Sequence, residues 1–140
     1  MKKYLGIDYG DVRTGLAVSD DLGLLACGIG TLTAGGPRKL AQQIAQVCKE
    51  RGIEELVLGN PINMNGTVGE RSEKVRRFAD ILKEETGLDV NLFDERMTTM
   101  EAHRFLSDTD TRGKKRKAVV DTLSAQIILQ NFMDALKNRR

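Results

Sequence analysis

Histidine and cysteine are scarce in this sequence, and their scarcity excludes several kinds of catalytic site. The 140 residues include one histidine, His103, and two cysteines, Cys27 and Cys48. The cysteines do not form a CxxC pair, and no second histidine or cysteine stands at ligand spacing from His103, so no zinc site is expected. With only one histidine in the sequence, we find no convincing Ser-His-Asp or Cys-His catalytic set. Both cysteines lie among apolar neighbours, and we predict that they are reduced and buried in the core.

Long apolar runs and a phosphate-binding loop are also missing. No apolar stretch approaches the roughly 18 residues that a membrane span needs. Asp8 and Asp11 interrupt the apolar start of the chain before it could form a secretion signal. We therefore expect a cytoplasmic protein that does not associate with membranes. The pattern G-x-x-x-x-G-K-[ST] is absent, which excludes the P-loop class of nucleotide hydrolases.

Aromatic residues make up only 4% of the chain, so recognition of single strands by base stacking is expected to be weak. The net charge of +2 does not by itself indicate a nucleic-acid partner. The cations are unevenly distributed, however, because residues 112–117 read RGKKRK and the chain ends in KNRR. Such a cluster is either a solvated loop or a contact for a polyanion, and the pattern leaves both interpretations open.

The period of the apolar residues predicts one α/β domain over residues 1–140. Three short apolar segments, at 4–8, 14–20 and 23–33, are joined by tight turns, which predicts antiparallel hairpins. After Pro37 the pattern alternates between helical segments and the strand-like segments at 55–60 and 89–95. Strands that alternate with helices require parallel crossovers. The expected fold is therefore a five-stranded mixed sheet with helices on both faces.

The predicted helices have recognisable ends. Pro37 suits the first turn of the first helix, and Gly52 and Gly87 suit the positions just after the first two helices. Capping boxes are predicted at Thr67–Glu70 and at 98–101, where a short helix would begin. The basic segment would then be a loop that leads into the last helix.

Three carboxylates from separate segments are predicted to meet at one edge of this sheet. Asp8 ends the first strand, Glu95 follows Asp94 at the end of the last strand, and Asp121 lies beside the apolar stripe of the last helix. Ligands of α/β sheets gather at the carboxyl ends of parallel strands. Oxygen-only ligands select Mg²⁺ or Mn²⁺ over zinc. Because side chains alternate along a strand, only one of Asp94 and Glu95 can face Asp8.

Less specific interpretations of these carboxylates remain open on spacing alone. Asp121 could lie in water at the edge of the apolar stripe. Asp94 and Glu95 could simply favour the start of a following helix through its macrodipole.

Four segments together resemble one protein family. In chain order they are GIDYGDVRTGLAVSD, GNPINMNG, FDERMTT and VVDTLSAQIILQNF. They resemble the YqgF family of Holliday junction resolvase-like nucleases, and the similarity covers essentially the whole chain. It implies a ribonuclease H-like fold and a nuclease that processes the 5′ end of the 16S ribosomal RNA precursor in bacteria. The family usually has Gly-Leu-Pro where this chain has Gly59-Asn60-Pro61.

The resemblance implies that Asp8, Glu95 and Asp121 form a catalytic site for two Mg²⁺ or Mn²⁺ ions. Two cations roughly 3.5–4 Å apart activate a water and stabilise the leaving oxygen in such sites. Asp8 would bridge the ions, with the other two carboxylates each completing one side.

Contacts to the substrate are expected from cations and from small residues around this site. The cations expected to hold phosphates are Arg13, Arg96, Lys114, Lys115 and Arg116. Gly10 and Gly15 would permit a tight turn and a close approach of substrate, and Asn60 and Pro61 would form a loop near the site.

Other functions remain possible at this level. An ATP-binding enzyme of the actin and sugar-kinase superfamily shares the sheet and an Asp-x-Gly hairpin, but needs a second domain. A non-catalytic nucleic-acid-binding module is a further alternative. The sequence does not distinguish RNA from branched DNA, endonucleolytic from exonucleolytic cleavage, or a monomer from the homodimer that a four-way junction would require.

Overall fold

The computed structural model of the protein describes residues 2–61, 69–95 and 113–138, apart from the side chains of 95 and 113–118. Its strands are β1 (Tyr4–Asp8), β2 (Thr14–Ser19), β3 (Ala26–Leu32), β4 (Glu55–Pro61) and β5 (Asp89–Glu95). Its helices are α1 (Pro37–Arg51), α2 (Glu70–Thr86) and α3 (Gly113–Asn138). The short helix predicted from residue 98 lies outside the described residues.

The described strands form the predicted five-stranded mixed sheet, in the order β3-β2-β1-β4-β5. β1 pairs antiparallel with β2, and β2 pairs antiparallel with β3, which confirms the two hairpins. β4 runs parallel to β1 and to β5. The carboxyl ends of β1, β4 and β5 therefore lie along one edge of the sheet.

Helices cover both faces of the sheet, as predicted. α1 and α2 pack on one face against side chains such as Leu5, Ile7 and Leu58. α3 packs on the other face against Val57 and Ala17. Buried apolar residues on both faces explain why the central strands read as nearly continuous apolar runs. Among the described helices, none combines the length and the apolar composition that a bilayer span requires.

Glycines in the strands allow α3 to lie unusually close to the sheet. A Cβ atom on Gly6 would lie 2.7 Å from the Cβ of Leu129, and one on Gly59 would lie 2.5 Å from Cδ1 of Ile128. A Cβ on Gly15 would lie 1.9 Å from the carbonyl oxygen of Asp121. These distances leave no room for a side chain at the glycines. At Gly15 the backbone of the helix contacts the strand directly, whereas at Gly59 the side chain of Ile128 fills the space.

The helix ends agree with the sequence only in part. α1 begins at Pro37, and Gly52 and Gly87 follow α1 and α2 in the left-handed conformation, as predicted. The capping box assigned to Thr67 and Glu70 is wrong, because α2 begins at Glu70 and its N-cap is Gly69.

The two cysteines also differ from each other. Both are free, and Cys48 is buried in α1 as predicted, but Cys27 is exposed. Cys27 lies in β3, which is an edge strand of the described sheet and is only partly covered. An apolar neighbourhood in the sequence does not reveal which strand is at the edge.

Candidate active site at the carboxyl edge of the sheet

Asp8 is the last residue of β1, which lies in the middle of the sheet between β2 and β4. Two earlier residues of the same strand, Leu5 and Ile7, belong to the core beneath α1 and α2. The pKa of the Asp8 carboxyl is raised to about 6, chiefly by burial and also by the nearby carboxylate of Asp121, against a smaller lowering by Arg71. Asp8 is therefore a poorly solvated carboxyl group beside a second carboxylate, an arrangement that a bound cation would stabilise.

Asp121 is brought to Asp8 by the close contact between α3 and β2. Its carbonyl oxygen lies over Gly15, and Gly15 is the register partner of Asp8. The Nε of Arg13 donates a hydrogen bond of 3.0 Å to Oδ2 of Asp121. The exposed fractions of these two side chains are 23% and 25%. Asp121 is thus partly buried and ion-paired, and the interpretation that it lies free in water is wrong.

Of the two acidic residues at the end of β5, the structure describes the side chain of Asp94. Asp94 is exposed, and its Oδ1 accepts a hydrogen bond of 2.9 Å from Nδ2 of Asn60. The Oδ1 of Asn60 in turn accepts a hydrogen bond of 2.7 Å from the hydroxyl of Ser72 in α2. Asp94 therefore faces the α2 side of the sheet, away from the contact between Asp8 and Asp121. Glu95 ends β5 in register with Pro61, and its side chain lies outside the described residues.

Asn60 and Pro61 are the last two residues of β4. The strand predicted over 55–60 is confirmed and is one residue longer, and the assignment of these two residues to a loop near the site is wrong. Asn60 is 2% exposed, and its amide is fully engaged by Asp94 and Ser72. This residue occupies the position where the family usually has leucine, and the hydrogen bonds offset the cost of burying an amide there.

Two of the three glycines in the first motif, Gly10 and Gly15, have different roles. Gly10 lies in the turn after β1, and a Cβ there would lie 2.1 Å from the carbonyl oxygen of Arg13, so the tight turn is confirmed. At Gly15 the close approach comes from the backbone of α3, not from a substrate as predicted.

Arg71 is a residue near the site that the sequence did not reveal. One nitrogen of its guanidinium donates a hydrogen bond of 2.8 Å to Oδ1 of Asp11, and another donates to the backbone oxygen of Tyr9. Arg71 thereby ties the start of α2 to the turn that follows Asp8. A cation in the first turn of a helix opposes the macrodipole, and that unfavourable position was the one signal that Arg71 has a tertiary partner.

Residues 113–117 of the basic segment lie in a helix and not in a loop. α3 begins at Gly113, so Lys114, Lys115 and Arg116 form part of its first turn. Their side chains, and the whole of Arg96, lie outside the described residues.

The described carboxylates fit a hard cation. Asp8 and Asp121 interact on one face of the sheet and provide only oxygen atoms, which suits Mg²⁺ or Mn²⁺. Within the described side chains there is no group of three or more potential metal-ligating residues. The third carboxylate of the predicted site is Glu95, whose side chain is not among them.

Comparisons with known proteins agree with this geometry. Solved structures with a similar fold include Thermus thermophilus RuvC in complex with a Holliday junction, with a TM-score of 0.61 and 14% identity over 99% of this chain and 97% of that chain. The fowlpox virus resolvase in complex with Holliday junction DNA has a TM-score of 0.57 and 10% identity over 96% of this chain and 98% of that chain. At these identities the similarity concerns the fold alone, and it confirms the ribonuclease H-like fold.

Sequence comparisons identify the family. A protein of Clostridioides difficile, named as a pre-16S rRNA nuclease, is 43% identical over 94% of both chains. One of Clostridium novyi with the same name is 41% identical over 96% of this chain and 99% of its own. The RuvX family model, described as Holliday junction resolvase, matches residues 2–135. The chain therefore belongs to the RuvX family.

Proposed function

We propose that this protein is a metal-dependent nuclease that hydrolyses phosphodiester bonds in the 5′ extension of the 16S ribosomal RNA precursor. It would act in the cytoplasm as a single domain over residues 1–140. The observation that carries the proposal is the pairing of the half-buried Asp8 with Asp121 at the carboxyl edge of a ribonuclease H-like sheet. The names of the relatives from Clostridioides difficile and Clostridium novyi support a ribosomal RNA precursor as the substrate.

The proposed site consists of Asp8, Asp121 and Glu95. Two Mg²⁺ or Mn²⁺ ions, when bound, supply an activated water and neutralise charge on the leaving oxygen. Asp8, at the centre, would contribute to holding both ions, and Asp121 and Glu95 would each hold one. Arg13 fixes the carboxylate of Asp121 through Nε, which leaves its other N–H groups available for a substrate phosphate.

A four-way DNA junction is the alternative substrate, because the family description names Holliday junction resolvase. Cutting two strands of a junction symmetrically needs two active sites and therefore a homodimer. Trimming an RNA end needs only one.

We expect cleavage to require Mg²⁺ or Mn²⁺ and to favour RNA. The test compares three labelled substrates: an RNA with the precursor extension, a single-stranded DNA of the same sequence, and a four-way junction. Ca²⁺ should compete for the site without supporting cleavage, because its longer bonds and higher coordination number hold the phosphate less tightly. Undiminished cleavage in excess chelator would contradict the metal site, and faster cleavage of the junction than of RNA would favour the alternative.

The cations at the start of α3 are expected to bind phosphates. We predict that replacing Lys114, Lys115 and Arg116 with alanine weakens binding to RNA and DNA alike. Binding releases one set of counterions for each phosphate that a cation contacts, so losing these contacts reduces the number of counterions released. The slope of log affinity against log salt should therefore flatten by roughly two to three units for duplex substrates. Cations at a helix start oppose the macrodipole, so their removal should not destabilise the protein.

A matched variant controls for net charge. Lys49, Arg51 and Arg76 are exposed on α1 and α2, on the opposite face of the sheet, and alanine at these positions removes the same charge. This control should keep the wild-type salt slope. If the α3 variant also keeps it, the cluster is solvated surface; if that variant binds normally but cannot cut, the cluster belongs to the catalytic centre.

A further inference from the structure

A cleft of about 430 Å³ opens on the α1 and α2 side of the sheet, beside the turn that follows Asp8. Its apolar wall consists of side chains from β3, α1 and α2, namely Leu32, Leu40, Phe78 and Ile81. A volume of this size is typical of sites for small molecules. The cleft is separate from the contact between Asp8 and Asp121, which faces α3.

A hydroxyl group lines the cleft. Thr14 is 1% exposed and lines the cavity. The alternate residues Leu16 and Val18 of the same strand belong to the core on this face, so Thr14 points to the same side. Among the described residues, the buried side-chain atom that lacks a hydrogen-bond partner is Oγ of Ser124 and not the hydroxyl of Thr14. The Thr14 hydroxyl is therefore a polar group on the wall of the cleft, with which a ligand can form a hydrogen bond.

The rim of the cleft is positively charged. Lys74 and Arg77 lie one turn apart on α2 and both line the cavity. Within the described part of the chain, neither is ion-paired with a carboxylate. Among the described lining residues, Asp11 is the one with a carboxylate, and the guanidinium of Arg71 donates a hydrogen bond of 2.8 Å to it.

The start of α1 adds further positive potential. Gly36, the N-cap, and Pro37 line the cavity, and no side chain caps this helix. Pro37 has no N–H group, and the Leu40 amide donates to the carbonyl oxygen of Gly36. The first-turn amides that can bind a phosphate are therefore those of Arg38 and Lys39.

An aromatic surface completes the cleft. Tyr9 stacks on Phe78 with ring centroids 4.1 Å apart and planes inclined by 9°, and both residues line the cavity. Apolar and aromatic walls suit a nucleoside, whereas Lys74, Arg77 and the start of α1 suit a phosphate.

We propose that this cleft binds one phosphorylated nucleoside, with the phosphate between α2 and the start of α1 and the nucleoside against Tyr9. Thr14 donates its hydroxyl to the ligand. Tyr9 directly follows Asp8 in the chain, so the cleft lies on the other side of the sheet edge that bears the active site. This rests on the proposed function in one respect: the nucleotide would belong to the RNA strand, outside the cleaved bond. A free mononucleotide presents the same chemistry.

The binding test uses uridine 5′-monophosphate and the full-length protein in excess chelator, so that the metal site does not contribute. Addition of the nucleotide should shift the amide resonances of Thr14, Ala34 and Ile81. The double variant Lys74→Gln/Arg77→Gln should weaken this binding by at least about tenfold, because both charged contacts to the phosphate are lost. Thr14→Val, which keeps the shape of the side chain, should weaken binding about threefold.

The matched control is Lys49→Gln/Arg76→Gln, which makes the same charge change outside the cleft and should bind the nucleotide like the wild type. Absence of shifts in the cleft, equal binding by both double variants, or equal affinity for inorganic phosphate and the nucleotide would each overturn the proposal. Shifts that cluster instead at Asp8 and Asp121 would do so as well.

A second arm identifies the source of the nucleotide. If it belongs to RNA, Lys74→Gln/Arg77→Gln should raise KM for RNA cleavage at least about fivefold relative to the control variant. If uridine monophosphate binds but KM is unchanged, the cleft takes a free nucleotide. If the protein binds the nucleotide but does not cleave RNA, the proposed function is overturned and the nucleotide site in the cleft stands. If it cleaves RNA but does not bind the nucleotide, the proposed function stands and the nucleotide site is overturned.

Discussion

Asp8→Asn is expected to abolish cleavage while leaving the fold intact. The amide keeps the size of the carboxyl group but lacks the negative charge that holds cations next to Asp121. Loss of a preorganised charged group that acts on the transition state costs at least about a thousandfold in rate, and we expect at least that in single-turnover cleavage of RNA.

Asp94→Asn is the matched control for this substitution. Asp94 lies near the same edge but faces the α2 side and accepts a hydrogen bond from Asn60, which an asparagine oxygen can also accept. This variant should cut at close to the wild-type rate. Cleavage by Asp8→Asn at a similar rate would remove Asp8 from the mechanism, and loss of activity in both variants would place Asp94 in the site.

The stability of the metal-free protein should fall as the pH rises from about 4 to about 7. The pKa of Asp8 is raised in the folded state from the usual 3.8 to about 6. The folded state therefore holds the proton more tightly than the unfolded chain. Its contribution to stability is complete below about pH 4 and is lost as the pH rises through about 6, which amounts to about 3 kcal/mol.

Urea unfolding in excess chelator, repeated across this pH range, measures the effect. Asp8→Asn cannot titrate, so its free energy of unfolding should lack this fall and should exceed that of the wild type at neutral pH. Identical pH profiles for the two proteins would contradict the assignment of the raised pKa to Asp8. Saturating Mg²⁺ should raise the free energy of unfolding of the wild type at neutral pH, whereas it should leave that of Asp8→Asn unchanged.

Local sequence patterns were sufficient to predict the elements that form the site. Asp8 stands at the end of an apolar run, and Asp121 stands beside an apolar helical stripe with Ser124 and Ala125 on the same side. Both of these small residues are buried against the sheet. Periodicity therefore placed the two carboxylates on the correct elements, because strand ends and helix faces are local properties of the chain.

Other features depend on tertiary packing and could not be predicted in this way. Cys27 is exposed because its strand is at an edge of the described sheet. β4 extends to Pro61, one residue beyond the predicted strand, and Asp94 and Ser72 satisfy the amide of the preceding Asn60. The helix that contains Lys114 begins earlier than the density of charge suggested. The link from Arg71 to Tyr9 and Asp11 joins residues some sixty positions apart.

The glycines beneath α3 have a consequence for how the site can change. Core side chains normally adjust to substitutions by changing rotamers, but over Gly15 the nearest atoms belong to the backbone of the helix, at Asp121 and Thr122, and have no rotamer to change. A methyl group added at Gly15 would push away the peptide unit that carries Asp121, and with it one of the two carboxylates. The position of Asp121, one of the two carboxylates of the proposed site, is therefore set by a contact between two backbones that no change of rotamer can relieve.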